Sequence, residues 1–135
     1  MTVSKAIYRV IYGDTDKMGV VYHACYLRLF EIGRTEFLRQ LGVSYREIEE
    51  RGFYLPVSEA FCKYLNPARY DDLLYIDTEL MELKKATILF NYRVSSDSEG
   101  TNILVTGYTR HACIDSSGKI VRLPKFLVNV LTNSS

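Results

Sequence analysis

The sequence predicts an α+β domain, residues 1–135, in which an antiparallel β-sheet wraps a long central helix. Three observations predict it. One stretch alone carries apolar residues at long helical spacing, Tyr26, Phe30, Gly33, Phe37 and Leu41, widened by Leu29 and Leu38. Several β-rich runs follow it, joined by connections short enough for antiparallel neighbours rather than crossovers. The length, 135 residues, is that of one ordinary domain. A lone helix with so wide an apolar face must be covered by the sheet that follows it.

The elements follow in order. Ile7, Arg9 and Ile11 alternate with Tyr8, Val10 and Tyr12, which reads as a first strand with apolar character on both faces, hence a covered one. Gly13 to Gly19 is a turn-rich loop. From Tyr26 the helix begins, with Glu31–Arg34 and Glu36–Arg39 as i,i+3 pairs on its polar side. Gly42 stands where a left-handed residue would end it. Ser44 with Glu47 three residues on forms a capping-box pattern for a short second helix, ended at Gly52. Runs at Val57–Leu65, Leu73–Leu83, Ala86–Ser95 and Thr101–Ile114 are strands, punctuated by Asn66-Pro67, Lys84-Lys85, Asp97 to Gly100 and Ser116 to Gly118. Pro124 limits a last strand at Ile120–Leu123, and Thr132 to Ser135 reads as a frayed tail.

Composition excludes several classes. Net charge is +1, with 17 basic and 16 acidic residues, so the domain-wide basicity of a nucleic-acid binder is missing. Lys5 and Arg9 interrupt any signal-peptide core, and no run reaches the ~20 apolar residues of a membrane span. Cys25, Cys62 and Cys113 are odd in number and in no metal or redox spacing, so they read as small hydrophobes in a reducing, cytoplasmic protein.

Chemistry concentrates between Tyr12 and Tyr26. Asp14, Asp16, His23 and three tyrosines lie in a loop before a helix start, where unpaired N–H groups suit an anion or a polarised carbonyl. From composition alone, such a loop reads first as turn chemistry and capping, and His23 as a hydrogen-bonded structural imidazole; order and context shift that balance. His111 in its strand reads as structural. Asp71-Asp72 reads as a strand-entry turn.

The pattern Arg9-Val10, Thr15-Asp16, Gly19-Val20-Val21-Tyr22-His23-Ala24 and Tyr26 resembles the active-site signature of the 4-hydroxybenzoyl-CoA thioesterase family. Its Tyr-His-Ala-x-Tyr ending is most similar to the YbgC branch, which is associated with the Tol–Pal gene cluster. The resemblance continues at Phe30-Glu31, Arg34-Thr35-Glu36-Phe37 and Asn66-Pro67-Ala68-Arg69-Tyr70-Asp71-Asp72. It implies a hot-dog fold, hydrolysis of an acyl-CoA substrate, no metal or other cofactor, and a homodimer or homotetramer. It puts the catalytic carboxylate on Asp16, not Asp14, active-site roles on Tyr12 and His23, and the carbonyl-polarising donor on the His23 backbone N–H.

That assignment makes chemical sense. A thioester carbonyl is already electrophilic, so catalysis needs an oxyanion site and a nucleophile or activated water. Glu31 matches a family position but reads as well as the partner of Arg34. Lys63, Arg69, Lys84, Lys85, Arg122 and Lys125 are candidates for the coenzyme phosphates. Tyr54, Phe61, Tyr64 and Phe90 are candidates for the acyl pocket, with core positions as the simpler reading. Two other functions remain open: a hot-dog dehydratase or hydratase acting on acyl thioesters, and a non-catalytic acyl-CoA-binding protein.

Overall fold

A computed structural model describes residues 3–133. In chain order its elements are β1 (Val3–Arg9), a 3-10 turn (Tyr12–Asp14), α1 (Cys25–Gln40), α2 (Tyr45–Glu50), β2 (Val57–Tyr64), β3 (Leu73–Leu83), β4 (Thr87–Ser95), β5 (Ile103–Ala112) and α3 (Lys125–Thr132). The five strands form one sheet in the order β1-β3-β4-β5-β2, antiparallel throughout.

Period-two alternation sets which face is inward. In β3, Leu74, Ile76, Thr78 and Leu80 are buried between half-buried or exposed neighbours, and Ile88, Phe90, Tyr92 and Val94 of β4 alternate in the same way as far as the buried Ser95. Against this face lies α1, burying Tyr26, Leu29, Phe30, Gly33, Phe37 and Leu38. Phe30 stacks on Tyr92 with centroids 4.3 Å apart, and Phe37 meets Phe90 edge-on at 5.5 Å. This is the expected hot-dog arrangement of sheet around helix. Ser44 caps α2 as expected, its Oγ accepting from Glu47 N at 3.0 Å.

The first strand departs from its reading. It ends at Arg9 and lies at a sheet edge, with Ile7 60% exposed, so it is covered on one face only. The buried Asp14 carboxylate accepts from the Ile11 amide at 3.0 Å and from Tyr8 Oη at 2.7 Å, and it pairs with Arg28. These bonds turn the chain out of the strand at the point where the alternation continues. The Glu36–Arg39 pair forms at 2.7 Å. Glu31 and Arg34 do not pair, because Arg34 leans toward the sheet and the Tyr92 hydroxyl.

The C-terminus differs more. Ile120–Leu123 is not a strand: Ile120 makes a single bridge to Ile114, and Pro124 then starts α3. Leu127 and Leu131 bury one face of that helix. Thr132, expected to fray, is its last residue and donates to the Val128 carbonyl at 2.8 Å. The end of the expected tail, residues 134–135, lies outside the described residues.

Candidate active site

The loop after the 3-10 turn is a tight hairpin whose own hydrogen bonds define it. Thr15 and Val21 form a bridge across it, and Asp16 N donates to Val20 O at 2.9 Å. Gly19 sits at φ +80°, a conformation open to glycine at little cost. The hairpin is anchored at its base by Tyr22 N to Asp14 O and by Val21 N to Ala68 O, both 2.8 Å. Asp14, only 3% exposed, is thus the structural carboxylate on which the loop is built.

Asp16 faces outward into a groove of about 320 Å³ lined with Val20, Val21, His23, Tyr26, Tyr64, Leu65, Asn66 and Pro67. Its Oδ1 accepts from Met18 N at 2.9 Å and Val20 N at 3.3 Å. Its Oδ2 accepts from no group among the described residues. One oxygen therefore fixes the side chain and the other is left without a hydrogen bond among the described residues.

The groove runs along the entry to α1. Cys25 N donates to Tyr22 O at 2.9 Å and Tyr26 N to His23 O at 3.4 Å. The amides of His23 and Ala24 meet no acceptor among the described residues. At a helix start, such amides point outward with the positive end of the helix dipole behind them.

Of the three site residues read from sequence, Asp16 and His23 line the same groove. The exposed His23 ring lies 4.4 Å from Tyr22 and 6.2 Å, edge-on, from Tyr64. Tyr12 does not line it: it is 78% exposed and packs edge-on against Tyr70 at 5.6 Å. Of the acyl-pocket candidates, Tyr64 alone lines the groove. Phe90 is core, Phe61 stacks on Tyr108 at 5.6 Å, and Tyr54 bridges to Ile114.

Tyr64 also makes a contact that the sequence gave no signal for. Its hydroxyl donates to the His23 carbonyl at 3.1 Å, across 41 residues of chain. Among the phosphate candidates, Lys84, Lys85, Arg122 and Lys125 converge on one pocket of about 680 Å³ beside α3, with Leu83, Leu123 and Val128 beneath them. Glu31 and Arg34 line two further grooves along α1, one shared with Val57 and Ala60 of β2. No cluster of three His, Cys, Asp or Glu side chains suited to a metal ion occurs among the described residues.

Comparison with known proteins places the fold in a family. The thioesterase-like superfamily matches residues 10–131. The acyl-CoA thioesterase YbgC of Haemophilus influenzae is 42% identical over 119 residues, covering 87% of this chain and 85% of that protein. The crystal structure of a hypothetical protein from Thermus thermophilus has TM-score 0.91 at 33% identity, over 98% of this chain and 99% of the other. A 4-hydroxybenzoyl-CoA thioesterase crystallised with 4-hydroxybenzoyl-CoA shares the fold, with TM-score 0.84 at 19% identity over 95% and 97% of the two chains. On the extent of these matches, the chain belongs to the thioesterase-like superfamily of hot-dog proteins.

Proposed function

We propose that this protein hydrolyses a short-chain acyl-CoA to the free acid and coenzyme A, with Asp16 as its central catalytic residue. The observation that carries this reading is the free Oδ2 of Asp16 in a groove beside two unpartnered amides, those of His23 and Ala24, just before the first turn of α1. The thioester carbonyl oxygen lies toward those amides, which stabilise the oxyanion by ~3 kcal/mol per donor. Asp16 Oδ2 either attacks the carbonyl carbon, expelling the CoA thiolate and leaving a mixed anhydride that water cleaves, or removes a proton from an attacking water. His23 orients that water or protonates the departing sulfur. Tyr12 has a role only if its ring swings from Tyr70 toward the acyl carbonyl.

The reading extends to assembly and place. We infer a homodimer formed through β2, whose outer edge is unpaired and whose residues are exposed apart from a half-buried Cys62. The coenzyme phosphates then rest on the basic pocket of Lys84, Lys85, Arg122 and Lys125. The free cysteines fit a reducing cytoplasm, where CoA thioesters are formed. No helix among the described residues is long and apolar enough to cross a membrane.

The test is thiol release across a panel of acyl-CoA esters, run beside Asp16→Asn. Turnover is expected to fall at least about a hundredfold in that variant, with folding and substrate affinity largely retained. Full turnover by Asp16→Asn would refute the mechanism. Hydration of crotonyl-CoA without thiol release would instead make the protein a hydratase, and binding with neither reaction a carrier.

A further inference from the structure

Tyr64 is the last residue of β2, and its ring is held edge-on by Tyr26 at 5.7 Å and by His23 at 6.2 Å. Its hydroxyl donates to the His23 carbonyl at 3.1 Å, and the Tyr26 amide reaches the same oxygen at 3.4 Å. That carbonyl belongs to the peptide unit whose N–H is that of Ala24. In a trans peptide the C=O and N–H lie in one plane and point in opposite directions. A bond that fixes the carbonyl therefore fixes the direction of the Ala24 amide. Hydrogen bonds accepted by a carbonyl also polarise its own peptide N–H, making it a stronger donor.

Resting on the thioesterase reading above, we propose that Tyr64 is a positioning residue: it pins the His23 carbonyl so that the Ala24 amide serves as a second oxyanion donor beside that of His23. The two amides are consecutive, both unpartnered among the described residues, and both at the start of α1. Without Tyr64 the 23–24 peptide keeps only its bond from Tyr26 N and can tilt. Burial, with Cys62 alongside, pushes the Tyr64 phenol up to about 12, so its hydroxyl stays a donor throughout any practical assay range. The contact spans two elements far apart in sequence, which ties the rim of the sheet to the helix entry.

The test compares wild type, Tyr64→Phe and Ala24→Pro with their double variant. Ala24 has φ −69°, which a proline ring can adopt, and the first turn of a helix tolerates the missing N–H. Removing an oxyanion donor costs up to about 10²–10³ in kcat, so misaiming one is expected to lower kcat about tenfold in Tyr64→Phe, with KM within about twofold. In the Ala24→Pro background, Tyr64→Phe should then have no further effect on kcat, because the donor it aims is gone. Equal losses in both backgrounds, or an unchanged kcat in Tyr64→Phe, would overturn the proposal. A second readout needs neither turnover nor the proline variant: the Ala24 amide resonance should move in Tyr64→Phe by NMR, and an unmoved resonance refutes the positioning. Wild type that releases no thiol from any acyl-CoA would sink the thioesterase reading instead, while the Ala24 resonance would still report on Tyr64.

Discussion

At His111 the hydrogen-bond roles can be assigned one atom at a time. Nδ1 lies 2.8 Å from the Leu55 carbonyl, which only accepts, so Nδ1 carries the proton. In the neutral ring Nε2 must then accept from Thr109 Oγ1 at 2.8 Å, and Thr109 in turn accepts from Tyr92 Oη at 2.6 Å. Protonating Nε2 would break this chain in the core. Burial lowers the His111 pKa, the Leu55 bond opposes it and the Arg34 charge adds to it, leaving a value of about 4. The folded value thus lies below the ordinary 6.5, so between the two the unfolded chain binds more protons and stability rises with pH. This stability is complete above about 6.5 and is lost as pH falls toward 4, a change of about 3 kcal/mol. Denaturant melts at several pH values should show that slope, and His111→Gln should flatten it in that window. Asp14 and Asp16 make the complementary point. They stand two residues apart, yet one is sealed beneath Tyr8 and Arg28 and the other opens into the groove.

Elements meet at two glycines whose missing side chains set the packing. A Cβ on Gly107 of β5 would fall on the Phe61 carbonyl of β2 and on the Phe30 ring of α1. A Cβ on Gly33 of α1 would meet the side chains of Thr78 and Ile76 in β3. Backbone yields less than side chains, so Gly107→Ala should be the costlier change, at the upper end of about 1–3 kcal/mol. Equal urea midpoints for the two alanine variants would contradict this ordering. Gly33 was legible in the sequence as part of the helical stripe, because spacing alone marks an inward face. Gly107 was not, because its constraint comes from strands and a ring distant in the chain. The same division holds for whole elements. The strands β2 to β5, α1, α2 and the position of Asp16 followed from period, capping and motif. The edge placement of β1 did not, since strand order is a tertiary property. The apolar pattern of Phe126, Leu127, Val130 and Leu131 is a helical signal behind Pro124, but it spans only two turns, short of the window in which period separates a helix from a strand.

At the scale of the whole molecule, the groove and the basic pocket lie at opposite ends of the sheet. Tyr64 at the groove pairs with Val105, whereas Val57 pairs with His111, toward the strand end that leads to the basic pocket. The eight residues of β2 separate these ends by roughly 25 Å. A closed two-fold dimer joined edge to edge through β2 must pair the strand with its copy in antiparallel fashion. That pairing would reverse the ends, so in the proposed dimer the basic pocket of one protomer would lie at the same end of the joined sheet as the Asp16 groove of its partner. A single acyl-CoA can then have its thioester in one protomer and its phosphates on the other. Charge at that pocket should therefore govern KM rather than kcat. Replacing Lys84, Lys85 and Arg122 with Gln should raise KM for acyl-CoA about tenfold or more, leave kcat within about twofold, and weaken the dependence of KM on salt. The same triple variant should leave hydrolysis of an acyl-pantetheine, which lacks the nucleotide phosphates, unchanged. Sedimentation should give twice the 15.6 kDa chain mass, and activity per protomer should fall on dilution to concentrations where that mass halves. A fully active monomer would break the link between the two ends of the sheet, and a KM untouched by the triple variant would remove the phosphates from that pocket.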